Sequence, residues 1–210
     1  MSRIATIVGL LIGAAALLLQ FGLTIPLRLT NGDMIFGALI YFFTFFTILS
    51  NLALVLIYVS ELWPQSSLSW FRRPVTRGMM AAAIVLVALF YHFILAGIWD
   101  PGGLWKVADV TMHYVTPVFY VAWWILFARH GMLKVADVPS MLVPPTVYLV
   151  YAMIRGALVG EYPYPILEAN RIGYGAVAIN VFLVLVGLTL LCLIVVAADR
   201  MLTRAPLPGP

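Results

Sequence analysis

Two stretches of this sequence carry side chains that chemistry can use. In ADVTMHYVTPVFY, residues 108–120, Asp109, His113, Thr116 and Tyr120 follow an i, i+4, i+7, i+11 pattern, which puts them on one face of a helix. A carboxylate one turn before a histidine can accept the proton on one ring nitrogen and leave the other free as a base. Pro117 has no N–H, so a helix through it deprives the His113 carbonyl of its partner. In YFFTFFTILSN, residues 41–51, Thr44, Thr47 and Asn51 fall within roughly 60° of one another around a continuous helix. A threonine hydroxyl is a poor nucleophile until a base removes its proton, and neutral histidine is the usual base. Asn51, a turn beyond Thr47, offers an amide donor to an oxyanion, a contact typically worth ~3–4 kcal/mol. The plain alternative is that threonine and asparagine hold helices together, typically for ~0.6–2 kcal/mol, while His113 bonds a neighbouring helix and Asp109 sits at the water interface. Tyr148, Tyr151 and Arg155 share a further helix face. The planar fork of Arg155 matches a substrate carboxylate, or else snorkels towards the headgroups. His92, alone in its segment, and His130, at a loop, read as structural.

The elements that must position these groups are membrane helices. The 210 residues are 64% hydrophobic and 10% charged, with mean hydropathy +1.06, whereas soluble domains run near ~25% charged. Uncharged stretches cover 4–27, 34–60, 78–99, 110–128, 138–154 and 172–198. Most reach the ~20 residues that a helix needs to cross the hydrocarbon, where backbone groups must be satisfied internally. The expected fold is all-α, a polytopic membrane protein with six transmembrane helices forming one domain over residues 1–204. The remaining Ala-Pro-Leu-Pro-Gly-Pro, 205–210, reads as a disordered tail. The first apolar run is too long for a signal-peptide h-region and reads as a retained anchor. Eight Lys and Arg residues fall on the side of the termini and four on the other, which places both termini in the cytoplasm. The second and fourth segments then both descend from the outer face, so Thr44 and His113 can meet in the outer half of the bilayer. The net charge of +4 is this bias and not a nucleic-acid footprint. Pro144-Pro145 is expected to kink the fifth segment. Trp63, Trp70, Trp99, Trp105, Trp123 and Trp124 fall mostly near segment ends, as interfacial aromatics do. Cys192 reads as packing.

Three stretches, FFTFFTILSN, TMHYVTPVF and GEYPYPILE, together resemble the androgen-induced gene 1 / FAR-17a-like family and its bacterial six-crossing relatives. Their order and approximate spacing agree over nearly the whole chain. The resemblance implies a membrane hydrolase with a threonine nucleophile and a histidine, whose animal members cleave fatty acid esters of hydroxy fatty acids. The histidine carries over to His113. The threonine falls on Thr47 in one register and on Thr44 in another; Thr47 is preferred because Asn51 then lies one turn on.

The expectation is therefore an intramembrane lipid ester hydrolase of the cell or inner membrane. Thr47 (or Thr44) and His113 are catalytic, Asn51 and Asp109 support them, and Arg155 and Tyr151 bind substrate. Its partners are a fatty acyl ester and membrane lipids, with no cofactor, metal or nucleic acid. The alternatives are a non-catalytic structural or regulatory membrane protein and a small-solute transporter. A haem carrier would want more paired histidines than His92 and His113 provide.

Overall fold

A computed structural model describes residues 2–65 and 67–203, and no strand occurs among them. The expected tail at 205–210 lies outside the described residues. The α-helices are α1 Ser2–Thr30, α2 Ile35–Phe42, α3 Phe46–Leu62, α4 Pro74–Phe90, α5 Gly103–Val110, α6 Thr116–Phe127, α7 Val138–Val159 and α8 Ala169–Met201. Two π-helical turns prolong the ladder, Tyr91–Leu95 after α4 and Thr111–Val115 between α5 and α6. Five helical rods are long and apolar enough to cross a membrane; α2 and α3 make a sixth crossing if taken as one broken span, bent by 78°.

The helix α4 lies at the centre because it is apolar on every side. Met79 through Ile84 are all 5% exposed or less, as expected of a helix with no polar face. Around it pack Leu54, Ile57 and Tyr58 of α3, Tyr120, Trp123 and Trp124 of α6, and Leu188, Cys192 and Val196 of α8. Trp123 and Trp124 are thus core residues and not interfacial ones; the indole N–H of Trp123 donates to Thr6 Oγ1 at 3.0 Å. Trp63 and Trp99, near helix ends, are more than half exposed. Close approach of α1 to its neighbours depends on Gly9, where a Cβ would stand 2.6 Å from the Tyr58 ring and 2.7 Å from Phe119. The outer faces of α1, α7 and α8 carry exposed Leu18, Val147 and Phe182, the signature of a lipid-facing surface. At the end near the termini, buried Asp199 accepts the Leu133 N–H at 2.8 Å and pairs with His130 Nδ1 at 3.2 Å, which ties the α6–α7 connection to α8.

One expectation about helix continuity is corrected. The second segment is not one helix: it stops at Phe42 and restarts at Phe46, with Phe45 extended, so Thr44 and Thr47 do not share a helix face. The freed backbone groups are taken up by tyrosines distant in sequence. Tyr148 OH donates to Thr44 O, and Phe46 N–H donates to Tyr164 OH, each at 3.0 Å; such partners make a break tolerable inside a bilayer. Pro144 and Pro145 lie inside α7, which runs through them from Val138 to Val159. Before Pro117 the turn widens into a π turn in which Thr116 N–H reaches Thr111 O.

Candidate active site

The break places Thr47 in the first turn of α3, where amides lack intrahelical acceptors. Its Oγ1 stands 3.2 Å from His113 Nε2. The other ring nitrogen, Nδ1, faces the Asp109 carbonyl oxygen at 2.9 Å and the Asp109 carboxylate oxygen Oδ1 at 3.1 Å. Both are acceptors, so Nδ1 carries the proton in the neutral ring. Nε2 is then left with its lone pair and can only accept from the Thr47 hydroxyl. The second carboxylate oxygen accepts the Tyr91 hydroxyl. The Tyr91 ring also stacks on the imidazole, with centroids 4.0 Å apart and planes at 15°. Tyr91 and His113 each sit on a π turn, a feature often found at functional sites. Thr47, His113 and Asp109 are 7%, 9% and 5% exposed, so this chain of polar groups is shielded while still reaching a cavity.

Asn51 supports the pair in a different way from that expected. Its Nδ2 donates to Thr47 O at 2.8 Å and to Met112 O at 3.3 Å, and its Oδ1 stands 2.5 Å from the Thr116 hydroxyl. The reason lies in Pro117. Because Thr116 N–H bonds Thr111 O and Pro117 has no N–H, it is the Met112 carbonyl that the π turn orphans. Asn51 satisfies it, clamping α3 to the turn that holds His113. With both amide hydrogens engaged, Asn51 has none left for an oxyanion.

Thr44 lies elsewhere. It is 1% exposed, its Oγ1 donates to Ile40 O at 2.6 Å, and the Tyr151 hydroxyl is 3.4 Å away. Tyr148 and Tyr151 therefore reach the break in the second span. Arg155 donates to the Glu161 carbonyl at 2.8 Å and pairs with its carboxylate at 3.2 Å. Glu161 also pairs with Arg28 at 3.3 Å, and the Arg28 guanidinium lies 4.0 Å over the Tyr41 ring. This ion network lines a cavity of about 750 Å³ that also reaches Thr47, Asp109 and His113.

A second cavity of about 70 Å³, apolar apart from the site itself, approaches from the α4, α7 and α8 side. Thr47, Tyr91, Leu95, His113 and Tyr164 line both. The Thr47–His113 pair thus stands at the junction of a wide cavity that carries the ion network and a narrow one without charged side chains. Tyr164 reaches this junction from the loop before α8. Burial pushes its pKa up, opposed by contacts with Thr47 and Phe46, so it is a neutral phenol.

Thr47, His113 and Asp109, singled out in the sequence, are brought together here, and the sequence reading did not single out Tyr91 and Tyr164, which adjoin them. Tyr91 was signalled only as a polar tip within an apolar run, next to the more conspicuous His92. Tyr164 lies in GEYPYPILE but had no chemical role assigned. A threonine hydroxyl facing one imidazole nitrogen, with a carboxylate at the other, is the geometry of nucleophile, base and orienting group that acyl transfer requires. No protein-family model, curated protein or solved structure matches this chain.

Proposed function

We propose that this protein is an intramembrane hydrolase of lipid carboxylic esters, with Thr47 as nucleophile and His113 as base. The observation that carries the reading is the His113 ring, whose Nδ1 faces two acceptors while Nε2 faces the Thr47 hydroxyl at 3.2 Å. In the first half-reaction Thr47 Oγ1 attacks the ester carbonyl and its proton passes to Nε2. The tetrahedral oxyanion is met by the first-turn amide of Thr47, aided by the positive end of α3, and by the Tyr164 hydroxyl. Collapse breaks the bond to the alcohol oxygen, which takes the proton from His113 and leaves an acyl-threonine. A water then gives its proton to Nε2, attacks the acyl carbon and releases the acid, and the proton returns to Thr47.

The resemblance to the androgen-induced gene 1 / FAR-17a-like family supports the same reading. Residues from each of its three stretches, Thr47, His113 and Tyr164, meet at one junction. Fatty acid esters of hydroxy fatty acids, or similar acyl esters, are the substrates it suggests. The arginine bias puts both termini in the cytoplasm, so that the wide cavity faces outward; a reporter fused after Pro210 should read cytoplasmic, and an external signal would reverse the side of water entry. Hydrolysis of 4-nitrophenyl esters by the purified protein in detergent is the direct test. Thr47→Val and His113→Ala should each abolish it with the protein still monodisperse. Full activity in either variant would return the Thr47–His113 bond to helix glue, the role it would have in a non-catalytic membrane protein.

A further inference from the structure

We infer that the narrow apolar cavity is the acyl-chain subsite, and that the alcohol portion of the ester and the hydrolytic water share the wide cavity that carries the charged groups. This rests on the hydrolase reading and adds a direction to it. The two cavities meet at Thr47 and His113 but differ in character. The wide one carries the charged groups Arg28, Arg155, Glu161 and Asp109. The narrow one is walled by aliphatic and aromatic side chains of α4, α7 and α8 and has no charged residue in its lining.

The assignment of ends follows from the proton's path. His113 Nε2 hands its proton to the leaving alcohol and later takes one from water, so alcohol and water must approach the acyl carbon from the same side. Water enters through the wide cavity, beside its charged groups, which places the departing alcohol there. The chain on the other side of the carbonyl is then left with the apolar slot. The floor of the slot is Leu188, 1% exposed, and Val87, 6% exposed. Its outer wall includes Leu149 of α7 and Val184 and Leu185 of α8, half-buried on the lipid-facing side. An unbranched hydrocarbon chain is the ligand that such a slot accepts, and it can be drawn sideways from the bilayer.

Two ester series separate the two ends. One varies the acyl chain on a fixed alcohol; the other varies the alcohol chain on a fixed short acid. In the parent protein, kcat/KM should rise about fourfold for each methylene that enters the slot. In Val184→Phe, where the added ring projects into the slot, exclusion of three methylenes should cut the preference for the longer acyl chain about sixtyfold. The dependence on alcohol length should not move. Leu149→Phe, on the facing helix, should give the same pattern and guards against one badly folded variant. As a readout free of turnover, a diazirine-bearing fatty acid ester bound to Thr47→Val should crosslink to residues 145–149 and 181–188. Variants that shift alcohol preference and leave acyl preference intact, or crosslinks confined to the wide cavity, would overturn the inference while the hydrolase reading stands. A parent that hydrolyses neither series would overturn both.

Discussion

Under the proposed hydrolase reading, replacing Asp109 with asparagine separates two tasks assigned to its carboxylate at His113. In the proposed ester hydrolysis the carboxylate would stabilise the imidazolium formed as Thr47 loses its proton, and would help fix which ring nitrogen is protonated. Where a carboxylate alone fixes the tautomer, its amide replacement leaves the wrong nitrogen protonated, and losses reach about 10⁴-fold. Here the backbone carbonyl of the same residue lies 2.9 Å from Nδ1, closer than the carboxylate oxygen at 3.1 Å. Asp109→Asn leaves that carbonyl in place, so Nδ1 keeps its proton and Nε2 keeps its lone pair. What is lost is one charge-assisted hydrogen bond, worth about 1.5–3 kcal/mol. That corresponds to a fall of about 10- to 150-fold in kcat. The assay is hydrolysis of a short 4-nitrophenyl ester beside the parent and His113→Ala, with KM measured separately. A loss as complete as in His113→Ala would show that the carbonyl does not hold the tautomer. An unchanged kcat would remove Asp109 from the mechanism.

Asn51→Leu removes the clamp on the Met112 carbonyl, but the Thr116 hydroxyl, 3.2 Å from that oxygen, can turn to it. The single variant should therefore lose only about 1 kcal/mol, and Asn51→Leu with Thr116→Val about 2–3 kcal/mol, read from thermal unfolding in detergent; strict additivity would contradict the shared role. Gly156→Ala would put a Cβ 2.1 Å from the Tyr162 ring, displacing the loop that brings Tyr164 to the junction. Hydrolysis should fall well beyond any change in melting temperature, and retained activity would remove the loop from the site. Asp199→Ala leaves the Leu133 N–H without its buried acceptor and should lower stability by about 1–3 kcal/mol, with turnover by the folded protein unchanged; a selective loss of turnover would link that end of the bundle to the site.

The apolar segments and the Asp109–His113 pairing were legible because each is local: a run length in one case, a single helical turn in the other. The break before Thr47 was not. From Ala38 to Leu52 there is no glycine or proline, so periodicity met no punctuation. The run Tyr-Phe-Phe-Thr-Phe-Phe-Thr does consist of weak helix formers, but what holds the break open is Tyr148 and Tyr164, more than a hundred residues away. Pro117 was recognised as a disturbance, but not the widening of the preceding turn to π geometry, which frees the Met112 carbonyl for Asn51. That shift recasts Asn51 from oxyanion donor to clamp. Trp123 and Trp124 were misplaced for a related reason, since their positions near a segment end suggested a membrane interface while α6 buries that face on α3 and α4.

The central claim is that Thr47 becomes acylated. A fluorophosphonate traps an activated hydroxyl as a stable adduct, and peptide mass spectrometry of the labelled protein resolves Thr44 from Thr47. With Thr47 at 3.2 Å from His113 Nε2 and the Thr44 hydroxyl given to Ile40 O, the adduct should map to Thr47. It should vanish in Thr47→Val and His113→Ala and persist in Thr44→Val. An adduct on Thr44, or labelling that survives Thr47→Val, would contradict the account.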